Sequence, residues 1–112
     1  MSDREVVMYS RTIPCPNSDA ARRVLEEHHV PYREIMIDLD PEALSRVEGW
    51  TGFQSVPTLV VARPGEVLPL AEPHPLEPGR SPRGVDRGPL ITEPDALGLQ
   101  HWLAAQGFFS GP

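Results

Sequence analysis

The stretch Glu5-Val6-Val7-Met8-Tyr9-Ser10-Arg11-Thr12-Ile13-Pro14-Cys15-Pro16-Asn17-Ser18 decides how the chain is read. Residues 5–9 form a short β-branched and aromatic run, and residues 10–14 are polar and end in proline. The pattern predicts a buried strand followed by a loop. Pro16 suits a first helical turn, where its missing N–H has no intrahelical partner to lose. Cys15 therefore falls where a strand has ended and a helix begins. Free N–H groups and the helix dipole favour negative charge at such a place. A thiol there has its pKa lowered from about 8.5 and is more reactive. Arg11, four residues upstream, offers a second favourable charge, and Pro14 and Pro16 stiffen the turn around the thiol. The competing reading is an inert buried cysteine; a polar loop at a helix start favours the reactive one.

Working outward, Ala20, Ala21, Val24, Leu25 and His28 recur at helical spacing between Asn17 and His29, and Val30-Pro31 ends that pattern. Tyr32 to Asp38 reads as a second strand. Asp40 is a good N-cap, followed by Pro41 at the first helical position and Glu42 in the first turn. That helix carries Leu44 and Val47 and is expected to stop between Gly49 and Gly52. Thr58 to Ala62, directly after Pro57, is an apolar third strand. Thr92-Glu93-Pro94-Asp95 resembles a capping box with Asp in place of Glu. Leu99, Trp102 and Leu103 form the inward stripe of a last helix closed by Gly107. The first two strands and the helix between them make a βαβ unit, so those strands should be parallel.

Between the third strand and the last helix lies a different kind of chain. Residues 63–89 hold seven Pro and four Gly, with four Arg against four acidic residues. Nothing alternates for long, so the expected regular structure is limited to at most one element at Val67–Leu70 and a short strand at Pro89–Ile91. Two readings fit a long structureless connection: a flexible surface insertion, or an ordered proline-rich arm that meets a partner.

The chain has 112 residues, enough for one domain, 1–112, with 63–89 as an insertion within it. A formal charge of −6 argues against nucleic acid or an anionic membrane as partner. All ten basic residues are Arg, so an anion site here is built from guanidinium forks and backbone amides. The charged N-terminus does not read as a signal peptide, and no stretch approaches the roughly 18 apolar residues of a membrane span. One cysteine cannot form an internal disulfide, and a reducing cytoplasm is the expected compartment. His28 and His29 are adjacent on a helix and diverge, and His74 and His101 are isolated, so no metal site is expected. Trp102 reads as core, Trp50 as packing or rim, and the pair Arg22-Arg23 as a solvated helix face.

Ser55-Val56-Pro57-Thr58 gives a second signal, a proline opening a strand, where it need not donate to the ladder. Taken with Tyr9-Ser10-Arg11 and Cys15-Pro16-Asn17-Ser18, the segment Thr51-Gly52-Phe53-Gln54-Ser55-Val56-Pro57 resembles the glutaredoxin family. In that family Tyr, a small polar and a basic residue precede Cys-Pro-x-Cys, and Thr-Gly-x-x-Thr-Val-Pro follows later. The resemblance covers about residues 4–62 and the last helix. It implies an α/β, thioredoxin-like fold: a βαβ unit plus C-terminal β and α elements, in a mixed sheet flanked by helices. It also implies a cis Val56–Pro57 bond.

The departures are informative. Ser18 stands where dithiol members carry a resolving cysteine. The basic residue is one position further from the thiol than usual. The family's Gly-Gly turn, which helps hold the γ-glutamyl end of glutathione, is replaced by Thr92-Glu93-Pro94-Asp95. The Cys-Gly-Phe-Ser signature of iron–sulfur-carrying members is absent. The resemblance implies catalysis by Cys15 with support from Pro16 and Ser18, and glutathione bound by Arg11, Gln54, Val56, Pro57, Thr92 and Asp95. The expected activity is monothiol thiol–disulfide exchange on glutathione mixed disulfides. Glutathione is then the co-substrate, and glutathionylated or disulfide-bearing proteins are the partners. The alternatives are a thioredoxin-fold binding module with an incidental or redox-sensing thiol, and a carrier of a glutathione-ligated iron–sulfur cluster.

Overall fold

The computed structural model describes residues 4–109; residues 1–3, part of the charged N-terminal stretch, and residues 110–112 lie outside the described residues. The elements run β1 (Glu5–Ser10), α1 (Pro16–Glu27), β2 (Tyr32–Met36), α2 (Pro41–Thr51), β3 (Thr58–Ala62), β4 (Leu90–Thr92) and α3 (Ala96–Ala105). They build a mixed four-stranded sheet in the order β2-β1-β3-β4. β1 and β2 are parallel, in register Val6 with Tyr32, as their connecting helix requires. β3 lies antiparallel to β1, and β4 antiparallel to β3.

The two central strands read as unbroken apolar runs because both of their faces are covered. Val6, Met8, Leu59, Val61 and Ile91 face one way and pack with Ala21, Val24 and Leu25 of α1 and Leu99, Trp102 and Leu103 of α3. Val7, Tyr9, Val60, Ala62 and Leu90 face the other way and meet Ala43 and Val47 of α2. Each Val, Leu, Ile or Met among them, fully buried, stabilises the fold by about 1.5–3 kcal/mol. Trp102 is core as expected, and its Nε1 donates to the Gly88 carbonyl at 2.8 Å, so its polar edge is satisfied.

Helix ends follow the local chemistry. The Asp40 carboxylate accepts from the N–H groups of Glu42 and Ala43 at 3.1 and 3.2 Å. α2 continues through Gly49 and ends at Gly52, which takes the left-handed conformation at φ 79°. β2 stops at Met36, two residues short of the expected end, because Asp38 turns away to accept from Thr12. β4 begins at Leu90, one residue later than expected. The capping box expected at Thr92–Asp95 does not form. Thr92 is the last residue of β4, paired with Thr58, and Asp95 itself caps α3, accepting from the Gly98 N–H at 2.6 Å.

No regular element forms at Val67–Leu70, and residues 63–89 follow an irregular path. Hydrogen bonds lay that path against the rest of the molecule. The Leu70 N–H reaches the Val61 carbonyl at 2.9 Å, and the Tyr9 hydroxyl donates to the Val67 carbonyl. Arg87, buried at 8% exposure, donates to the carbonyls of His74 and Trp50. The Gly84 N–H reaches the Thr92 carbonyl at 2.6 Å, and Arg83 makes a bridge to Thr92. The segment thus returns beside the end of β4, next to the start of α1.

Candidate active site around Cys15

Cys15 is the N-cap of α1, with extended backbone (φ −141°, ψ 118°) and Pro16 at the start of the helix. Its carbonyl accepts the Asp19 N–H at 2.9 Å, so the helix begins beneath the thiol and leaves its first N–H groups directed at the sulfur. The thiol is free and partly exposed.

Its pKa is lowered. Partial burial is the largest single influence and pushes it up, but three donors together outweigh it: the Ser18 N–H, the Ser18 hydroxyl and the Asn17 N–H. The nearby Glu93 carboxylate opposes them. Ser18 is buried at 1% exposure, and its Oγ has no partner in ordinary hydrogen-bond geometry among the described residues. It nevertheless lies close enough to the sulfur to lower the thiol's pKa. The two observations fit a contact that is loose to the thiol and completed when the sulfur carries charge.

The expected help from Arg11 is redirected. Arg11 Nη2 donates to the Gln54 carbonyl at 2.8 Å and lies 3.4 Å from Gln54 Oε1. Its charge acts on Asp38, whose pKa is lowered first by the Thr12 hydroxyl and to a smaller degree by Arg11. Asp38 in turn accepts from the Thr12 N–H at 3.2 Å, which holds the loop before the thiol in place. Arg11 is therefore a cleft-wall residue rather than a principal source of thiolate stability.

A cleft of about 620 Å³ opens beside the sulfur, lined by Arg11, Cys15, Asn17, Phe53, Gln54, Ser55, Val56, Ser81, Pro82, Arg83 and Glu93. A second hollow of about 360 Å³ adjoins it, sharing Asn17, Arg83 and Glu93 and adding Gly84, Pro94, Asp95 and Gly98. Arg11, Cys15, Gln54 and Val56 thus meet on one cleft, and Asp95 borders the adjoining one. Val56 N–H and C=O make no hydrogen bond among the described residues and remain available to an extended ligand. The Val56–Pro57 bond is cis. Pro57 is buried behind Val56, and its carbonyl accepts the Glu93 N–H at 2.7 Å. Thr92 does not reach the cleft: it is buried, with Oγ1 3.2 Å from Thr58 Oγ1. Pro16 is exposed at the helix start and holds backbone rather than ligand.

Sequence reading missed Asn17, Phe53, Ser55, Ser81, Pro82, Arg83 and Glu93 as wall residues. For Glu93 a signal existed, since it stands where a glycine turn was expected and takes φ 45°, a conformation that non-glycine residues adopt at a cost. Arg22 was read as a solvated face; it instead binds Glu34 of β2, with Nε 3.0 and 3.1 Å from the two carboxylate oxygens. Among the described residues, no group of three or more His, Cys, Asp or Glu side chains is placed to hold a metal ion. Nor is any described helix long and apolar enough to cross a membrane.

Comparison with known proteins places this geometry. Structural-genomics target protein XcR50 from X. campestris is 24% identical, with 89% of this chain and 96% of that one covered and a TM-score of 0.49. The glutathione transferase Omega 2S of Trametes versicolor is 20% identical over 94% of this chain and 37% of its own, with a TM-score of 0.52, a likeness of fold. No curated protein matches the chain in sequence. The glutaredoxin family model matches residues 6–64, more than half of the sequence, and the chain belongs to the glutaredoxin family.

Proposed function

We propose that the protein is a monothiol, glutathione-dependent thiol–disulfide oxidoreductase that removes glutathione from mixed disulfides. The observation that carries this reading is Cys15 at a helix N-cap, its pKa lowered by Ser18 and Asn17, opening onto a cleft with Arg11 and Gln54 on its wall. The Cys15 thiolate attacks the glutathionyl sulfur of a protein–glutathione disulfide. The S–S bond breaks, the substrate sulfur leaves as a thiolate and takes a proton from water, and Cys15 becomes glutathionylated. The thiolate of a second glutathione then attacks that sulfur, releasing oxidised glutathione and restoring the Cys15 thiolate. One protein thiol suffices, which is why Ser at position 18 is compatible with turnover.

Arg11 and Gln54 take the glycyl carboxylate, and the unpaired Val56 N–H and C=O pair with the cysteinyl backbone. The reading places the protein in a reducing compartment that supplies glutathione, the cytoplasm. The test is turnover of a glutathionylated peptide in the presence of glutathione. The wild type should turn over, and Cys15→Ser should be inactive while still folded by circular dichroism. A wild type without activity, or an active Cys15→Ser, would overturn the reading in favour of a binding module.

A further inference from the structure

A hollow of about 440 Å³ lies between the end of α2 and the first half of the proline-rich segment. It shares no lining residue with either hollow at Cys15. Trp50, Leu68, Pro69 and Pro73 make its wall largely apolar, and Arg87 supplies its one cation. Arg87 is 8% exposed and held in place by neutral groups. Its Nε donates to the His74 carbonyl at 2.7 Å and its Nη1 to the Trp50 carbonyl, while its backbone N–H reaches the Leu90 carbonyl at 2.9 Å. It pairs with no carboxylate among the described residues. Burial lowers its pKa, and no neighbouring acid raises it again. Nη2 has no hydrogen-bond partner among the described residues, yet protein does not seal it from solvent. A buried charge without a counter-ion is costly, and the hollow is the opening that this one lines. The one acid of the lining, Glu72, is exposed and unpaired with it.

We propose that this hollow is a second ligand site, for a small carboxylic acid with an aromatic or branched apolar body. The carboxylate meets Arg87 Nη2, and the body lies against Trp50, Pro69 and Pro73. The chemistry of the lining selects that class. One open guanidinium nitrogen suits a monoanion, whereas a phosphate dianion asks for more donors and would face Glu72. An indole and two proline rings bury an apolar body well, and sites for small molecules span about 300–1,000 Å³. The ligand joins α2 to the segment where Arg87 already ties them, so its binding should tighten the segment.

The probe is hydrocinnamate, titrated against the full chain and followed by the indole N–H signals of the two tryptophans. The Trp50 signal should move, and that of Trp102, bonded to Gly88 in the core, should not. Hydrocinnamide, which lacks the charge, and inorganic phosphate, which lacks the body, should each bind about tenfold more weakly or worse. Arg87→Met should lose about tenfold or more in affinity. Because that variant also loosens the segment, two changes at the rim keep the test independent of folding. Glu72→Gln should bind about two- to fivefold more tightly, and Leu68→Glu more weakly by a similar factor. Arg11→Ala, in the cleft at Cys15, should bind as wild type. Bound hydrocinnamate should also slow tryptic cleavage at Arg80 and Arg83. An unmoved Trp50 signal, equal binding of acid and amide, or unchanged affinity in both rim variants overturns the site. A loss in Arg11→Ala that matches Arg87→Met does the same, by placing the probe in the cleft. Tighter binding of acetyl-Gly-Gly-Phe than of hydrocinnamate overturns the small-molecule assignment and gives the hollow to a peptide C-terminus.

Discussion

Replacing Ser18 by Ala should change acidity and stability in opposite senses, and the two magnitudes follow from one hydroxyl. Ser18 Oγ is buried with no partner in ordinary geometry among the described residues, and it is one of three donors that lower the Cys15 pKa. A hydrogen bond to a charged group contributes about 1.5–3 kcal/mol, so its loss should lower the thiolate fraction at neutral pH by about tenfold or more. The Ser18 and Asn17 N–H groups survive the substitution, so the thiol remains more acidic than one without helix contacts. Against this, an unpartnered buried hydroxyl costs about 1–3 kcal/mol of desolvation, which Ala removes. The variant should therefore be at least as stable as wild type wherever the thiol is protonated. A group whose folded pKa is depressed stabilises the fold above its unfolded pKa, about 8.5 for a thiol, and loses that contribution as pH falls through the folded value. Wild type should thus gain stability as pH rises toward 8.5, and Ser18→Ala should gain less, so the two stability curves converge or cross. Urea denaturation across pH and the pH dependence of iodoacetamide alkylation measure both effects. A variant destabilised by 2 kcal/mol or more on the acid side, with unchanged alkylation, would refute the argument and make Ser18 a structural residue alone.

Two further outcomes test the frame around the site. Glu34 has its pKa lowered, chiefly by the bond from Arg22 and with a smaller share from the Ser10 hydroxyl, so its contribution is present above a carboxyl's unfolded pKa and lost as pH falls through the folded one. Glu34→Gln should cost about 1–2 kcal/mol at neutral pH, the deficit closing in acid, as read by denaturant midpoints across pH; a deficit that is the same at all pH would show packing rather than charge. Arg87 binds the carbonyls of both His74 and Trp50, so Arg87→Met should free the segment from α2 at a net cost of about 1–2 kcal/mol and speed tryptic cleavage at Arg80 and Arg83. Unchanged cleavage rates would mean that other contacts hold the segment.

How far the fold could be read from the sequence depended on how local its causes are. β1 and β3 announce themselves because a strand covered on both faces needs an unbroken apolar run, and Val6–Tyr9 and Thr58–Ala62 supply one. α2 is legible from Asp40 and Pro41, since a cap and a first-turn proline act within a few residues. Cys15 is legible for the same reason: its chemistry comes from N–H groups at positions 17 and 18. Arg11 shows the opposite case. Its position four residues before the thiol suggested a charge aimed at the sulfur, but a long guanidinium settles on whichever acceptor the fold brings near, here the Gln54 carbonyl 43 residues away. Arg22 likewise looked solvated until the fold put Glu34 of another strand beside it.

The same distinction accounts for the far wall of the cleft. Arg83 lies in a proline-rich stretch with no period to read, and it reaches the site only because Arg83 and Gly84 meet Thr92 at the end of β4. Glu93 could be suspected from its place in a turn where glycine is the easy choice, but not its direction, which the Pro57 carbonyl fixes from the far end of β3. Nucleophile and helix are therefore encoded within a dozen residues, whereas the residues placed to select a ligand are assembled from three separate returns of the chain. Substitutions in residues 63–89 should consequently move ligand preference while leaving the acidity of Cys15 nearly untouched, since none of the groups that lower its pKa lies in that segment.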